Sequence, residues 1–278
     1  MVLGLVALLL GGAAAVVTVA GRRQTRLLET VELRFGPDVS EDAVWGVLGA
    51  MSGLPHHTLV LLELVADAEG IRHYLRAEHQ TVEIVRAHLR GLLPGVRLET
   101  AEPATASWRA AARIRWGGRH PLLSSDRNPE TAAALLGALS GLKQHERLLL
   151  RWTLRPARGP YLPERQSRSQ AHHGGLLGWL WPEQSLDASH LRALRSKYAG
   201  PVLTGSAVIA VSAGSDGQCM SLMTRVLAVF RSRSGLRGLP LVRYRRFGEV
   251  QRFVERLPLR LGSRFSPAEL MGLVGWPI

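Results

Sequence analysis

Val47-Leu48-Gly49-Ala50-Met51-Ser52-Gly53-Leu54 returns as Leu135-Leu136-Gly137-Ala138-Leu139-Ser140-Gly141-Leu142. The Gly-Ala and Ser-Gly pairs are identical and the final leucine matches. Each copy ends its helical run on a glycine, as a C-cap does. Working outward from either copy gives the same order of elements, and that order decides the fold. Around the first copy, residues 31–35 alternate as a strand does, and Pro37-Asp38-Val39-Ser40 makes a turn with Ser40 as N-cap. Residues 41–53 place Val44, Val47, Leu48 and Met51 on one helical face. Strands follow at 58–65 and 71–77 around the turn 67–70. A helix at 79–93 carries Val82, Val85, Leu89 and Leu92, and a strand at 96–100 closes the set. The order β-α-β-β-α-β is that of a split βαβ, or ferredoxin-like, unit.

Around the second copy the order recurs. A strand covers 108–116, and a helix runs from Asn128 as cap, with Pro129 in its first turn, to Ser140. Strands at 147–154 and 202–212, a helix at 218–231 and a strand at 239–245 complete it. An insertion, 156–200, separates its middle strands. It holds four prolines, then Trp179-Leu180-Trp181, then a helical stretch at 187–198 with Arg192, Arg195 and Lys197. A loop of that length in a compact domain is usually functional. Trp179 and Trp181 are candidates for docking a partner or lipid; the other reading packs them on the sheet edge. The tail has a helix at 249–256 and a capping box, Ser266-Pro267-Ala268-Glu269. The expected class is therefore α+β. Its parts are an anchor at 1–23, a first unit at 27–104, a second at 105–248, and a helical connector at 249–278 that leads onward rather than sealing a core.

Residues 2–20 contain no charge, and Arg22, Arg23 and Arg26 follow at once. Nineteen helical residues span about 28 Å, enough to cross a hydrocarbon layer of about 30 Å. No basic residue precedes them, so the positive-inside rule puts the bulk of the chain in the cytoplasm behind a single-pass anchor in the cell membrane. The rival is a signal peptide cleaved near Thr18-Val19-Ala20. Such a peptide wants a basic leader and a shorter apolar run.

Of 35 basic residues only Lys143 and Lys197 are lysine. Residues 1–105 carry 9 Arg against 12 acids, while 106–278 carry 26 basic residues against 10 acids. The basic rear half suits an anionic partner. Arg225, Arg231, Arg233, Arg237, Arg243, Arg245 and Arg246 fall on the last helix and strand of the second unit and are the candidates for nucleic-acid or anionic-surface binding. The bland alternative is that they only solvate an exposed face.

Enzyme signatures are missing. Leu142 precedes Lys143 and Ser196 precedes Lys197, so no Gly-Lys-Ser/Thr phosphate loop exists, nor is there a Gly-x-Ser-x-Gly elbow. His56-His57 and His172-His173 are adjacent pairs, whose side chains point apart. Neither pair has a third ligand at metal-site spacing. The lone Cys219 excludes an intrachain disulfide. Gly214-Ser215-Asp216-Gly217 reads as a turn into a helix. The expectation is a non-enzyme without cofactor or metal.

The layout resembles the membrane-anchored N-terminal region of conjugative type IV secretion ATPases of Gram-positive, especially actinobacterial, elements, of the coupling-protein and HerA/FtsK-like kind. The likeness rests on the anchor, the two units, Leu194-Arg195-Ser196-Lys197-Tyr198-Ala199-Gly200-Pro201, and Phe265-Ser266-Pro267-Ala268-Glu269-Leu270-Met271-Gly272-Leu273-Val274-Gly275-Trp276-Pro277. In that family the motor follows this last segment, so the resemblance implies a truncated or split product, or a motor on a separate polypeptide. It implies a membrane-anchored interaction module whose partners are membrane lipid, a motor ATPase, secretion-channel proteins, non-specifically bound DNA or further copies of itself. The alternative is a structural assembly-platform protein of a secretion or pilus system without DNA contact.

Overall fold

The computed structural model describes residues 28–103, 106–116, 122–123, 125–160, 188–233, 240–246, 249–258 and 262–278. The first half gives β1 (Glu29–Arg34), α1 (Glu41–Ser52), β2 (Val60–Asp67), β3 (Gly70–Ala77), α2 (His79–Leu92) and β4 (Arg97–Thr100). The second gives β5 (Ala110–Trp116), α3 (Asn128–Leu139), β6 (Arg147–Ala157), α4 (Ala188–Tyr198), β7 (Val202–Ser212), α5 (Asp216–Ser232) and β8 (Pro240–Arg246). The tail adds α6 (Val250–Glu255), β9 (Ser263–Phe265) and α7 (Pro267–Met271). The class is α+β with an antiparallel sheet. The proposed anchor, 1–23, lies outside the described residues. Among those described, no helix is long and apolar enough to cross a membrane.

Local chemistry sets these boundaries. The Ser40 side chain accepts the Ala43 amide at 3.2 Å, and Glu41 and Asp42 sit in the first turn of α1, where the helix dipole favours acids. α5 starts with a reciprocal box in which Ser215 accepts the Gln218 amide and Gln218 accepts the Ser215 amide. Asn128 departs from expectation. The N-cap is Arg127, without a side-chain cap bond. Asn128 instead donates to the Ala268 carbonyl at 3.0 Å.

Among the described residues, nine strands form a single sheet in the order β4-β1-β3-β2-β6-β7-β5-β8, with β9 beside the start of β7. The first half contributes its strands as fourth-first-third-second. The second half contributes second-third-first-fourth, the mirror of that order. The halves join through antiparallel β2 and β6, with Glu63 opposite Arg151. The spacing of 88 that separates Val47 from Leu135 also separates Glu63 from Arg151, so the strand join falls at equivalent positions of the sequence repeat.

One face of the sheet carries α1, α2, α3, α5 and α7. Leu62, Leu64, Leu75, Ile114, Leu150, Trp152 and Ile209 meet Leu48, Leu89, Leu135 and Phe230 there in one continuous core. The other face is smaller and is covered by Val250 and Val254 of α6, packed on Val65, Tyr74, Leu149 and Val208.

The tail corrects the reading of 249–278 as a connector leading away from the core. Leu270, Leu273, Val274 and Trp276 are fully buried in the helix-side core. Trp152 Nε1 donates to the Leu273 carbonyl at 2.8 Å, and His73 Nε2 lies 3.0 Å from the Gly275 carbonyl. One of these contacts comes from each unit, so the tail seals the seam between them. Gly275 has a φ of +70°, and a Cβ there would stand 2.8 Å from Leu64 Cδ2, so only glycine fits without a shift.

Candidate functional site

Three polar clusters tie the halves and the tail together; the sequence marks Lys197 and Glu269 singly but not their meeting. On the α6 side, Glu63 Oε1 accepts from Arg151 Nε at 2.6 Å and from Arg76 Nη1 at 3.1 Å. Arg151 Nη1 also donates to the Val254 carbonyl at 2.7 Å, which ties α6 to the join. All three side chains are buried. Burial pushes the Glu63 carboxyl up, but the Arg151 and Arg76 guanidiniums outweigh it, and the net shift is down.

The second cluster links the insertion to the tail. Lys197 Nζ at the end of α4 lies 2.8 Å from Glu269 Oε2, both side chains nearly inaccessible. Glu269 completes the Ser266 capping box and accepts the Leu123 amide at 2.8 Å. Burial pulls the Lys197 ammonium down, opposed by Glu269. The neighbouring Tyr198 hydroxyl is pushed up to about 12, first by burial and then by the Glu269 charge. Both members of the pair come from the stretches that carry the family resemblance, and Lys197 also stands 5.9 Å from the Phe265 ring centroid.

The third cluster is His73, edge-on to Phe35 at 5.1 Å and bonded to the tail. To donate to the Gly275 carbonyl, Nε2 must carry the proton. Burial pushes the His73 pKa down, partly offset by that bond. The folded protein thus keeps His73 neutral where the unfolded chain takes up a proton. The stability this gives is full above about pH 6.5 and is lost as pH falls from there toward the folded pKa. His73→Gln should therefore show a shallower fall in denaturation midpoint than the parent between about pH 7.5 and 5.5.

The arginines named from the sequence divide. Arg225 is exposed and its Nη2 donates to the Ser140 and Gly137 carbonyls at 3.3 and 3.5 Å, which places a cation at the C-terminus of α3. Arg231 is exposed in the last turn of α5. Arg233 is withdrawn from the surface. It is 5% exposed and donates to Asn128 Oδ1 at 2.5 Å, and burial lowers its pKa. Arg243, Arg245 and Arg246 lie on edge strand β8, in register with Arg113, Ala111 and Ala110. Arg237, Trp179 and Trp181 lie outside the described residues.

Other chemistry-bearing residues resolve into structural roles. Arg109 closes the Gly214 turn, donating to the Gly214 carbonyl at 2.9 Å and pairing with Asp216 at 3.0 Å. His56 and His57 are exposed. Glu29, His79 and Glu83 bring three ligand atoms together on the surface, but Arg86 already bridges the two carboxylates at 3.3 and 2.9 Å. Compared with known protein families and with curated proteins, the chain matches none.

Proposed function

We propose that the chain is a membrane-anchored, cytoplasmic docking module of a conjugative DNA-transfer apparatus, which seats a motor ATPase, channel proteins or DNA at the membrane. On this reading it carries no catalysis of its own. The mirrored strand orders of the two halves support reading them as duplicated ferredoxin-like units, the second with an added helix between its middle strands. The observation that carries the reading is the meeting of Lys197 with Glu269 and Phe265. Stretches far apart in sequence, both part of the family likeness, meet where the insertion helix packs on the tail.

The DNA arm of this reading is tested by titrating the full chain in detergent against single- and double-stranded DNA at rising salt. Binding should weaken steeply, and Arg225→Glu with Arg231→Glu should lower affinity for all sequences alike. The salt slope should become shallower by about one for each phosphate that the variant no longer neutralises. Absent or salt-insensitive binding removes DNA from the partners.

A further inference from the structure

The sheet ends at β4, with no strand paired to its outer side among the described residues. The register with β1, and the bond from the Ala101 amide to the Thr30 carbonyl at 3.0 Å, fix which backbone groups that edge leaves open. Pairs alternate along an antiparallel ladder, so Arg97, Glu99 and Ala101 turn their amides and carbonyls toward β1. Leu98 and Thr100 turn theirs outward. Val96 turns only its carbonyl outward, since its amide already donates to the Leu93 carbonyl at 3.2 Å. Such an edge is a template for another strand.

The charges on this edge are arranged about Leu98. Arg97 and Glu99 stand on either side of it, both exposed and on one face of the sheet. Within the chain each meets a like charge directly across the ladder, Arg97 opposite Arg34 and Glu99 opposite Glu32. Arg34 relieves the acidic pair diagonally, at 3.1 Å from both Glu99 and Glu32. Arg97 makes no ion pair among the described residues. The rest of the edge carries both signs. Exposed Glu102 follows β4, while on α2 Arg86 bonds Glu29 and Glu83, and Arg90 is exposed. The far edge of the sheet is of one sign: β8 holds Arg243, Arg245 and Arg246, and it starts at Pro240, which has no amide hydrogen to offer. A second β8 would meet its own charge there, whereas β4 is complementary to itself.

We infer that β4 is a self-association edge, at which two copies of the chain join antiparallel about a two-fold axis at Leu98. An axis normal to the sheet sets Leu98 against Leu98 of the other copy, and the two exchange amide and carbonyl. Thr100 of each copy donates to the open Val96 carbonyl of the other. Arg97 then faces Glu99 of the other copy on both sides of the axis, in the non-hydrogen-bonded pairs where side chains come closest. The row across the join reads Arg34, Arg97, Glu99, Glu32, with opposite charges meeting at its centre. Moving the axis by one residue sets Arg97 on Arg97 or Glu99 on Glu99, so charge fixes the register. This self-complementarity is what favours a second copy over an unrelated strand. The inference stands apart from the docking proposal and uses no residue of the anchor.

The test is sedimentation of the full chain in detergent at rising concentration. The parent should pass from monomer to dimer and stop there. Arg97→Glu and Glu99→Arg, each alone, should weaken the dimer about tenfold, because symmetry counts every reversed pair twice. Mixed together, the two variants should pair again, since each facing position then carries the opposite sign. Cysteines read the register directly. Under oxidant, Arg97→Cys mixed with Glu99→Cys should give a disulfide-linked dimer; native Cys219 is buried. Neither should link to itself, because equal positions stand about 8 Å apart in this register, beyond the reach of a disulfide. A chain that stays monomeric, a dimer indifferent to these charges, self-linking of Arg97→Cys, or growth in mass beyond the dimer overturns the inference. If a charge variant fails to fold, the cysteine pair still decides. None of these outcomes bears on DNA binding or on the anchor, which fail or stand by their own tests.

Discussion

Trp152→Ala is expected to cost about 3–5 kcal/mol of folding stability, the range for deleting a large buried aromatic. Trp152 is fully buried in the central strand β6 and stacks on Trp116 at 5.6 Å. It stands edge-on to Phe265 at 5.6 Å, so it touches both the second unit and the tail. The substitution empties that space and also leaves the Leu273 carbonyl without its donor. A denaturant midpoint well below the parent's, with an unchanged slope, is the expected record. Trp152→Phe keeps most of the volume and should lose only the hydrogen bond and the smaller ring's contacts, about 1–2 kcal/mol. If alanine cost less than about 1 kcal/mol, the tail would not be seated as described.

Glu63→Gln should be of similar size, about 3–5 kcal/mol, for a different reason. The carboxylate is the shared partner of two buried guanidiniums where β2 joins β6. Removing its charge takes away the counter-charge that the two buried guanidiniums share. A triple replacement, Glu63→Leu with Arg76→Met and Arg151→Met, should recover most of the loss, since well-packed apolar groups often replace a buried ionic cluster at little cost. The wild-type cluster also has an acid signature. Because the folded pKa of Glu63 lies below its unfolded value, its contribution is complete above about pH 4.5 and falls away as pH drops through the folded pKa. The triple variant should lack that part of the acid dependence.

Much of the fold is legible because two periodicities dominate the chain. The helix at 41–53 and the strand at 202–212 match expectation almost to the residue, since caps and alternation mark them. The repeat around Gly49 and Gly137 announces two units. It does not reveal that they join edge to edge. That join depends on Glu63 facing Arg151, and a charged residue inside an apolar strand reads as a solvent-facing position when its partner is 88 residues away. The shared spacing of the two pairs is the signal that could have shown it. Asn128 reads as a cap because its chemistry fits one. The approach of Ala268 and Arg233 takes its amide for a tertiary bond instead. The burial of the tail is hidden because Gly272 and Gly275 look like linker residues, although glycine there permits close approach to Asn128, Leu64 and Leu135.

The proposed module is held on the cytoplasmic side of a membrane by its first residues. Maleimide access to Glu69→Cys, at the exposed tip of the β2–β3 turn, tests it in one experiment. In intact cells a membrane-impermeant maleimide should leave that cysteine unlabelled, and permeabilisation should expose it, with the chain retained in the carbonate-resistant membrane pellet. Labelling of intact cells, or recovery of the chain in the soluble fraction, would rule out this topology.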